Sequence, residues 1–220
     1  VHSLKYGTTT NNILGIEIVM MDGTICKIGG KTLDQEGYDL LGLLCGSEGL
    51  LGVITEVTVK ILKKPQTVKA ALIGFPTHED GGNCVSEIIA NGIVPAGMEI
   101  MDKALIEATD NFSKAGYPRD VELLLIVELD GTVSEVDELI NKVSEISKKN
   151  NSSTIKISKN EKERLSFWIG RKAAFPACGA MAPDYYCMDG SIPRGKLAEA
   201  LKEINKLSKK YNLSVANCFH

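Results

Sequence analysis

Between Val53 and Leu62 the chain alternates without a break. Val53, Thr55, Val57, Val59 and Ile61 share one parity, and Ile54, Glu56, Thr58, Lys60 and Leu62 share the other. A period of two sends successive side chains to opposite faces, so this run is an extended strand and cannot be a helix. The segment before it is rich in glycine, at 29, 30, 37, 42, 46, 49 and 52, and too regularly spaced for a linker. Further upstream Ile16, Ile18 and Met20 alternate with Glu17, Val19 and Met21, followed by Asp22-Gly23 and Thr24 to Ile28. Asp-Gly supplies the positive φ angles of a tight turn, so this stretch reads as a β-hairpin. Pro65 closes the long strand and the composition then changes, which places a domain boundary there and divides residues 1–65 from 66–220.

The second part alternates strand and helix patterns. Val68 to Phe75 reads as a strand, and Glu79 to Asn91 as a helix with Val85, Ile88 and Ile89 on its apolar face. Met98 to Met101 is a short strand, after which Asp102 is placed to cap a helix reaching about Phe112. Val121, Leu123, Leu125, Val127 and Leu129 mark another strand. Val133, Val136, Leu139, Ile140, Val143 and Ile146 then recur at helical spacing up to Lys148-Lys149, a cationic end that suits the helix dipole. Thr154 to Ser158 is a strand, Glu161 to about Ala173 a helix, 174 to 183 an irregular segment, and Tyr185 to Met188 a short strand. A last helix runs from Pro193 to Lys210, and a last strand from Leu213 to Phe219. This order predicts an α+β chain whose second part is a ferredoxin-like antiparallel sheet with helices on one face.

Composition narrows the partners. The 220 residues carry 25 basic and 28 acidic side chains, a net charge of −3, with no one-sided excess to attract nucleic acid. The longest apolar run, 121 to 129, is broken by Glu122 and Glu128, so no transmembrane helix is expected. The cysteines at 26, 45, 84, 178, 187 and 218 are too dispersed for metal clips or a disulfide scaffold, which points to a reduced, cytoplasmic chain. The chain opens on Val1 and stops at Asn217-Cys218-Phe219-His220, directly after a strand-like stretch, which is the pattern of a fragment. The basic clusters at Lys148-Lys149, Lys156 to Arg164 and Lys202 to Lys210 are interleaved with glutamates and read as solvated helix faces.

The segment Cys45 to Thr55 carries the most chemistry. Gly46, Gly49 and Gly52 let backbone approach a ligand, and amides of a tight turn before a strand can bind anionic oxygens. Spacing alone favours a bulged loop leading into the long strand over a ligand site. It is not the GxGxxG of a dinucleotide fold, and it lacks the Lys-Ser/Thr of a P-loop.

Order adds more. Lys5-Tyr6-Gly7-Thr8-Thr9 is followed by Asn11-Asn12-Ile13-Leu14-Gly15, the Asp22-Gly23 turn, Gly29-Gly30-Lys31-Thr32, Gly37-Tyr38-Asp39-Leu40 and Gly46-Ser47-Glu48-Gly49. This succession resembles the second half of the FAD-binding, PCMH-type domain of the FAD-linked oxidases related to the glycolate oxidase D subunit and D-lactate dehydrogenase. Thr10 and Asn11 stand where that family usually has arginine and aspartate, and the loop from Lys31 to Tyr38 looks about a residue short. The resemblance implies FAD held between two α+β subdomains, with contacts from Tyr6, Gly7, Thr8, Asn11, Gly46, Ser47, Glu48, Gly49, Gly52, Val53 and Ile54. Small residues and backbone donors are what a flat ring and its phosphates need. Tyr6 serves equally well as a packed aromatic. For Val53 and Ile54 both roles are compatible, since a side chain can fill the core while its amide faces the flavin.

Near the other end stands Trp168-Ile169-Gly170-Arg171. A lone helical arginine is ordinarily a solvated charge. In the family, however, a W-x-x-R arginine faces the flavin and binds the substrate carboxylate, a task that suits the guanidinium fork. Phe175-Pro176-Ala177, Pro183 to Gly190 and Ile192-Pro193-Arg194 resemble the glycolate oxidase branch. His2 and His78 offer little for metal or base work. Val215 to His220 resembles the strand leading into the family's H-x-G-D-G-N-x-H motif, in which two histidines and a later glutamate hold a divalent metal. His220 is the first of these, and one imidazole does not make a three-ligand site, so it is expected to be a disordered end that retains no metal.

The resemblance therefore implies FAD-dependent oxidation of a small D-2-hydroxy acid, glycolate or D-lactate, by hydride transfer to flavin N5. Arg171 anchors the carboxylate, His220 belongs to the group acting on the hydroxyl, and electrons leave to a partner subunit or carrier, which is also the route to any peripheral membrane association. FAD binding by this chain alone is expected to be weak or absent. The alternative from another class is a non-catalytic ferredoxin-like module for ligand binding or protein pairing over residues 66–158. A larger 2-hydroxy diacid is disfavoured, because Tyr185-Tyr186-Cys187 offers no lysine for a second carboxylate.

Overall fold

The computed structural model describes residues 2–32 and 36–220. The chain divides into two compact units, one of Tyr6–Lys64 and one of Pro65–His220 together with the opening residues up to Lys5. Part of the Lys31 to Tyr38 loop lies outside the described residues.

After a one-turn helix, α1 (Ser3–Tyr6), the smaller unit forms an antiparallel sheet in the order β2-β1-β3 from β1 (Ile13–Val19), β2 (Ile25–Gly29) and β3 (Val53–Val59). The Asp-Gly turn is present. Gly23 adopts φ +85°, its amide donates to the Met20 carbonyl at 2.9 Å, and the Asp22 carboxylate accepts from the Thr24 amide at 2.9 Å. The short helix α2 (Leu40–Leu44) is capped by Asp39, which accepts from the Gly42 amide, and it packs over β1 and β2. The core consists of Ile16, Ile18, Leu41 and Leu44. β3 is extended, as its alternation requires, yet all seven of its residues are exposed. Val53 and Ile54 therefore do not fill a core. β3 is an edge strand, and among the described residues no helix of this unit packs along it as α2 packs along β1 and β2.

The larger unit is built on a sheet in the order β7-β4-β6-β5-β8, antiparallel at every pairing. Its strands are β4 (Thr67–Phe75), β5 (Gly97–Asp102), β6 (Leu123–Gly131), β7 (Thr154–Ile157) and β8 (Cys218–Phe219). Helix α3 (His78–Ala90) connects β4 to β5, α4 (Lys103–Ser113) connects β5 to β6, and α5 (Val133–Lys149) connects β6 to β7. α6 (Glu161–Lys172), α7 (Ala174–Met181) and α8 (Leu197–Tyr211) follow. The first four strands with α3 and α5 make the expected ferredoxin-like unit. Local chemistry sets its helix starts: Asp102 accepts from the Leu105 amide, Thr77 from that of Asp80, and Thr132 with Glu135 completes a capping box.

The helices do not keep to one face. One core joins Ala71, Ile73 and Phe75 of β4 to α3, α5 and α8, and the other joins Ala70 and Leu72 to α4, α6 and α7. The reason lies in the strands. Leu123 through Val127 are buried at every position, so both parities of β6 need a covering layer, and helices on one side cannot supply both. Two further expectations change. Residues 174 to 181 form α7, with Pro176 tolerated in its first turn, where amides have no intrahelical acceptor anyway. Tyr185 to Met188 form no strand, and of the final strand only Cys218 and Phe219 pair, against Met101 and Ile100.

Candidate functional site: a buried carboxylate under an arginine

In the larger unit, two carboxylates on the α6 side of the sheet carry that helix. Glu128 of β6, 5% exposed, accepts from Arg164 Nη1 at 2.5 Å and from the Trp168 indole N–H at 2.7 Å. Hydrogen bonding to Glu161, with Glu128 adding to it against the opposing effect of burial, raises the Arg164 pKa and keeps it charged. Glu99 of β5 is fully buried, and its Oε2 accepts from Arg171 Nε at 2.5 Å. Trp168 and Arg171, one turn apart, are thus both anchored to the sheet from the same helix face. For Arg171 burial works against charge, but Cys218 and Glu99 outweigh it and the pKa is raised. Cys218 Sγ lies 3.6 Å from the same Glu99 oxygen, and burial pushes its thiol up to about 12. His220 Nδ1 lies 3.8 Å from the other oxygen, Oε1, which has no hydrogen-bond partner among the described residues.

The segment behind Arg171 is equally specified. The Tyr117 hydroxyl donates to the Phe167 carbonyl at 2.6 Å and accepts from the Arg171 amide at 3.2 Å. Burial pushes its pKa up to about 12, so it remains a donor at neutral pH. A Cβ at Gly170 would run into the Tyr117 ring, so that glycine is needed for packing. Asp110 holds Tyr117 in turn, accepting from the amides of Gly116 and Tyr117 and from Arg119. Asp102 accepts from the Asn217 amide and side chain as well as capping α4, which ties the segment before β8 to β5, and burial raises its pKa.

In the smaller unit Gly7 adopts φ +79°, and Asn11 Oδ1 accepts from the Thr8 amide at 3.0 Å and hydroxyl at 2.8 Å. Asn11 thus closes the turn, as an aspartate acceptor could. Tyr6 is half-buried, and its carbonyl accepts from the Asn12 side chain. In the second loop Gly46, Glu48 and Gly49 all have positive φ, at +86°, +53° and +80°. The Ser47 and Leu50 amides close turns onto Leu44 and Ser47. Those of Gly46, Glu48 and Gly49 make no backbone hydrogen bond among the described residues. Gly46 and Glu48 border an open hollow of about 360 Å³ that is lined also by Leu43, Ser47, Leu50 and Leu51. Free amides at a left-handed turn suit anionic oxygens, so this loop fits a phosphate-bearing cofactor such as FAD. Gly52 has a packing reason of its own, since a Cβ there would lie 2.7 Å from the Val19 carbonyl oxygen.

Among the described residues no group of three His, Cys, Asp or Glu side chains comes together to hold a metal ion. His220 with Glu99 makes only two such side chains. No helix among the described residues is long and apolar enough to cross a membrane. Glu99, Tyr117 and Asp110 escaped the sequence reading. The signal for Glu99 was an acidic residue inside the apolar strand Met98 to Met101, and for Glu128 the interruption of the apolar run.

An antiparallel sheet covered on both faces, with a buried carboxylate fixing an arginine, and a unit of glycine turns make this a two-unit α+β chain. Residues 64–220 match the model of the FAD linked oxidases, C-terminal domain, and the chain belongs to this FAD-linked oxidase family. It is 50% identical over its whole length to glycolate oxidase subunit GlcD of Escherichia coli strain K12, covering 44% of that protein. It is 34% identical to GlcD of Bacillus subtilis over 99% of the chain and 46% of that protein, and 30% identical to the D-lactate dehydrogenase of Archaeoglobus fulgidus over 100% and 48%. The chain thus spans somewhat under half the length of these relatives. Among solved structures it resembles an alkyldihydroxyacetonephosphate synthase, with TM-score 0.69 and 18% identity over 94% of the chain and 43% of that one. It also resembles the 4-ethylphenol oxidase of Gulosibacter chungangensis, with TM-score 0.67 and 14% identity over 96% and 49%. These two show the fold.

Proposed function

We propose that the protein carrying this chain oxidises a small D-2-hydroxy acid, glycolate or D-lactate, to its 2-oxo acid and passes the electrons to a partner subunit or carrier. The observation that carries this reading is Arg171. Its guanidinium is held through Nε by a fully buried glutamate, with the Cys218 sulfur as a second neighbour. A fork so fixed can take a carboxylate in two parallel hydrogen bonds and orient the adjoining Cα–H bond. FAD, when bound, supplies the ring whose N5 accepts the hydride. His220, beside the same glutamate, would take the hydroxyl proton, which balances the hydride leaving Cα. The amides of Gly46, Glu48 and Gly49, with Ser47 in the same loop, would receive the cofactor's anionic oxygens, and Tyr6, Gly7, Thr8 and Asn11 of the first turn and Gly52, Val53 and Ile54 at the start of β3 would add contacts. The names of the relatives, glycolate oxidase subunit and D-lactate dehydrogenase, agree with this chemistry.

The test uses the complete polypeptide. Glycolate or D-lactate should bleach the oxidised-flavin absorbance band. Arg171→Ala should lower kcat/KM by at least about a hundredfold with FAD content unchanged, because two charge-assisted hydrogen bonds are lost. Arg171→Lys should recover only part of the loss, since a point charge does not replace a planar fork. No bleaching by either acid would overturn the reading.

A further inference from the structure

We propose that Tyr117 is a positioning residue of this site, aiming Arg171 at its substrate through a hydroxyl that bonds to both the Arg171 amide and the Phe167 carbonyl near the end of α6. The proposal rests on the reading of Arg171 as the carboxylate anchor and adds what sets the backbone end of that side chain. In a regular α-turn the amide of Arg171 and the carbonyl four residues earlier are joined to each other. Here the Tyr117 hydroxyl accepts from that amide at 3.2 Å and donates to that carbonyl at 2.6 Å. A side chain that enters the ladder at such a pair bends the helix there. The turn just beyond is tightened, since the Ala173 amide lies 2.9 Å from the Gly170 carbonyl and 3.2 Å from that of Ile169, and α6 ends at Lys172. The sequence makes room for the hydroxyl, because Gly170 presents bare backbone to a ring that a Cβ would strike. Tyr117 is 5% exposed, and its own position is fixed from α4 rather than from α6: Asp110 Oδ1 accepts from the amides of Gly116 and Tyr117 at 2.7 and 3.2 Å. Arg171 is thus held at both ends, its amide by Tyr117 and its Nε by Glu99. An arginine whose backbone end can shift carries its fork with it, away from the geometry that orients a bound acid.

The alternative is that Tyr117 only fills the space beside Gly170, in which case its ring matters and its hydroxyl does not. Tyr117→Phe separates the two. It keeps the ring and leaves the Arg171 amide and the Phe167 carbonyl to bond to each other, so the fold should be retained. The probe is oxalate, a two-carbon diacid with no hydride to transfer. In the complete flavoprotein, Tyr117→Phe should weaken oxalate binding, followed through the flavin spectrum, by about fivefold or more and raise KM for the hydroxy acid similarly, with FAD content unchanged. In an Arg171→Ala background the same change should alter kcat/KM by less than about twofold, because the hydroxyl acts through the arginine. An effect of Tyr117→Phe below about threefold on both oxalate affinity and KM would overturn the inference, and so would an undiminished loss in the Arg171→Ala background. If Tyr117→Phe fails to retain FAD, Tyr117→4-aminophenylalanine decides alone, since its amino group still donates to Phe167 and is a poor acceptor for the Arg171 amide. Unchanged oxalate affinity there overturns the inference. If Arg171→Ala itself leaves oxalate affinity unchanged, the anchor reading fails and takes the inference with it. Loss of affinity in Arg171→Ala with none in Tyr117→Phe removes the inference alone.

Discussion

The two sheets of this protein use apolar residues in opposite ways. In the five-stranded sheet, Leu123 through Val127 are buried at both parities, because α3, α5 and α8 cover one face and α4, α6 and α7 the other. In the three-stranded sheet, β3 has the cleanest alternation in the chain, and each of its side chains is exposed, Val53 at 65% and Val57 at 50%. Alternation reports an extended backbone, and burial depends on whether a second layer arrives. The functional features follow the same division. The larger unit holds polar groups by burying them in pairs, as Glu99 does with Arg171. The smaller unit leaves the amides of Gly46, Glu48 and Gly49 without backbone acceptors.

This contrast predicts a gradient of mutational cost. Leu125→Ala removes a fully buried side chain between two covered faces and should cost about 3 kcal/mol or more, read from denaturant unfolding of the chain. A loss below about 1 kcal/mol would mean that the sheet is not packed as described. Asp110→Asn should cost about 1 to 3 kcal/mol at neutral pH, because one carboxylate holds two amides and Arg119. Burial alone would raise the Asp110 pKa, but Arg119 and the amides of Gly116 and Tyr117 outweigh it and hold the group below the ordinary 3.8. A lowered folded-state value means that the contribution is full above the unfolded pKa and is lost as pH falls through the folded one. The parent protein should therefore lose stability more steeply than Asp110→Asn below about pH 4, and equal acid slopes would refute the assignment. At the small end, Val57→Ala on β3 should change stability by less than about 0.5 kcal/mol, since little surface is exchanged with water. A cost equal to that of Leu125→Ala would break the comparison at its root.

Much of the site was legible locally. Arg171 and the glycine turns could be named from short motifs, and Asp102 could be read as the cap of α4 from its place before the helix. Capping, turn formation and helix faces depend on neighbours a few residues away, so they are written in the chain itself. Glu99 was not legible as a partner, because it stands 72 residues from Arg171, and strand pattern says nothing of which helix will lie over it. Glu128 was visible only as an interruption of an apolar run. Its meaning came when α6 brought the Trp168 indole and Arg164 onto it.

By itself the sequence determined the extended and helical segments, the positive-φ turns and the family to which they belong, since each arises from contacts within a few residues. Tertiary structure alone decided that helices cover both faces of the larger sheet, that β3 stays bare, and that a buried glutamate stands behind the arginine. Those outcomes depend on which layers meet across long stretches of chain, and burial then selects the polar groups that can stay paired.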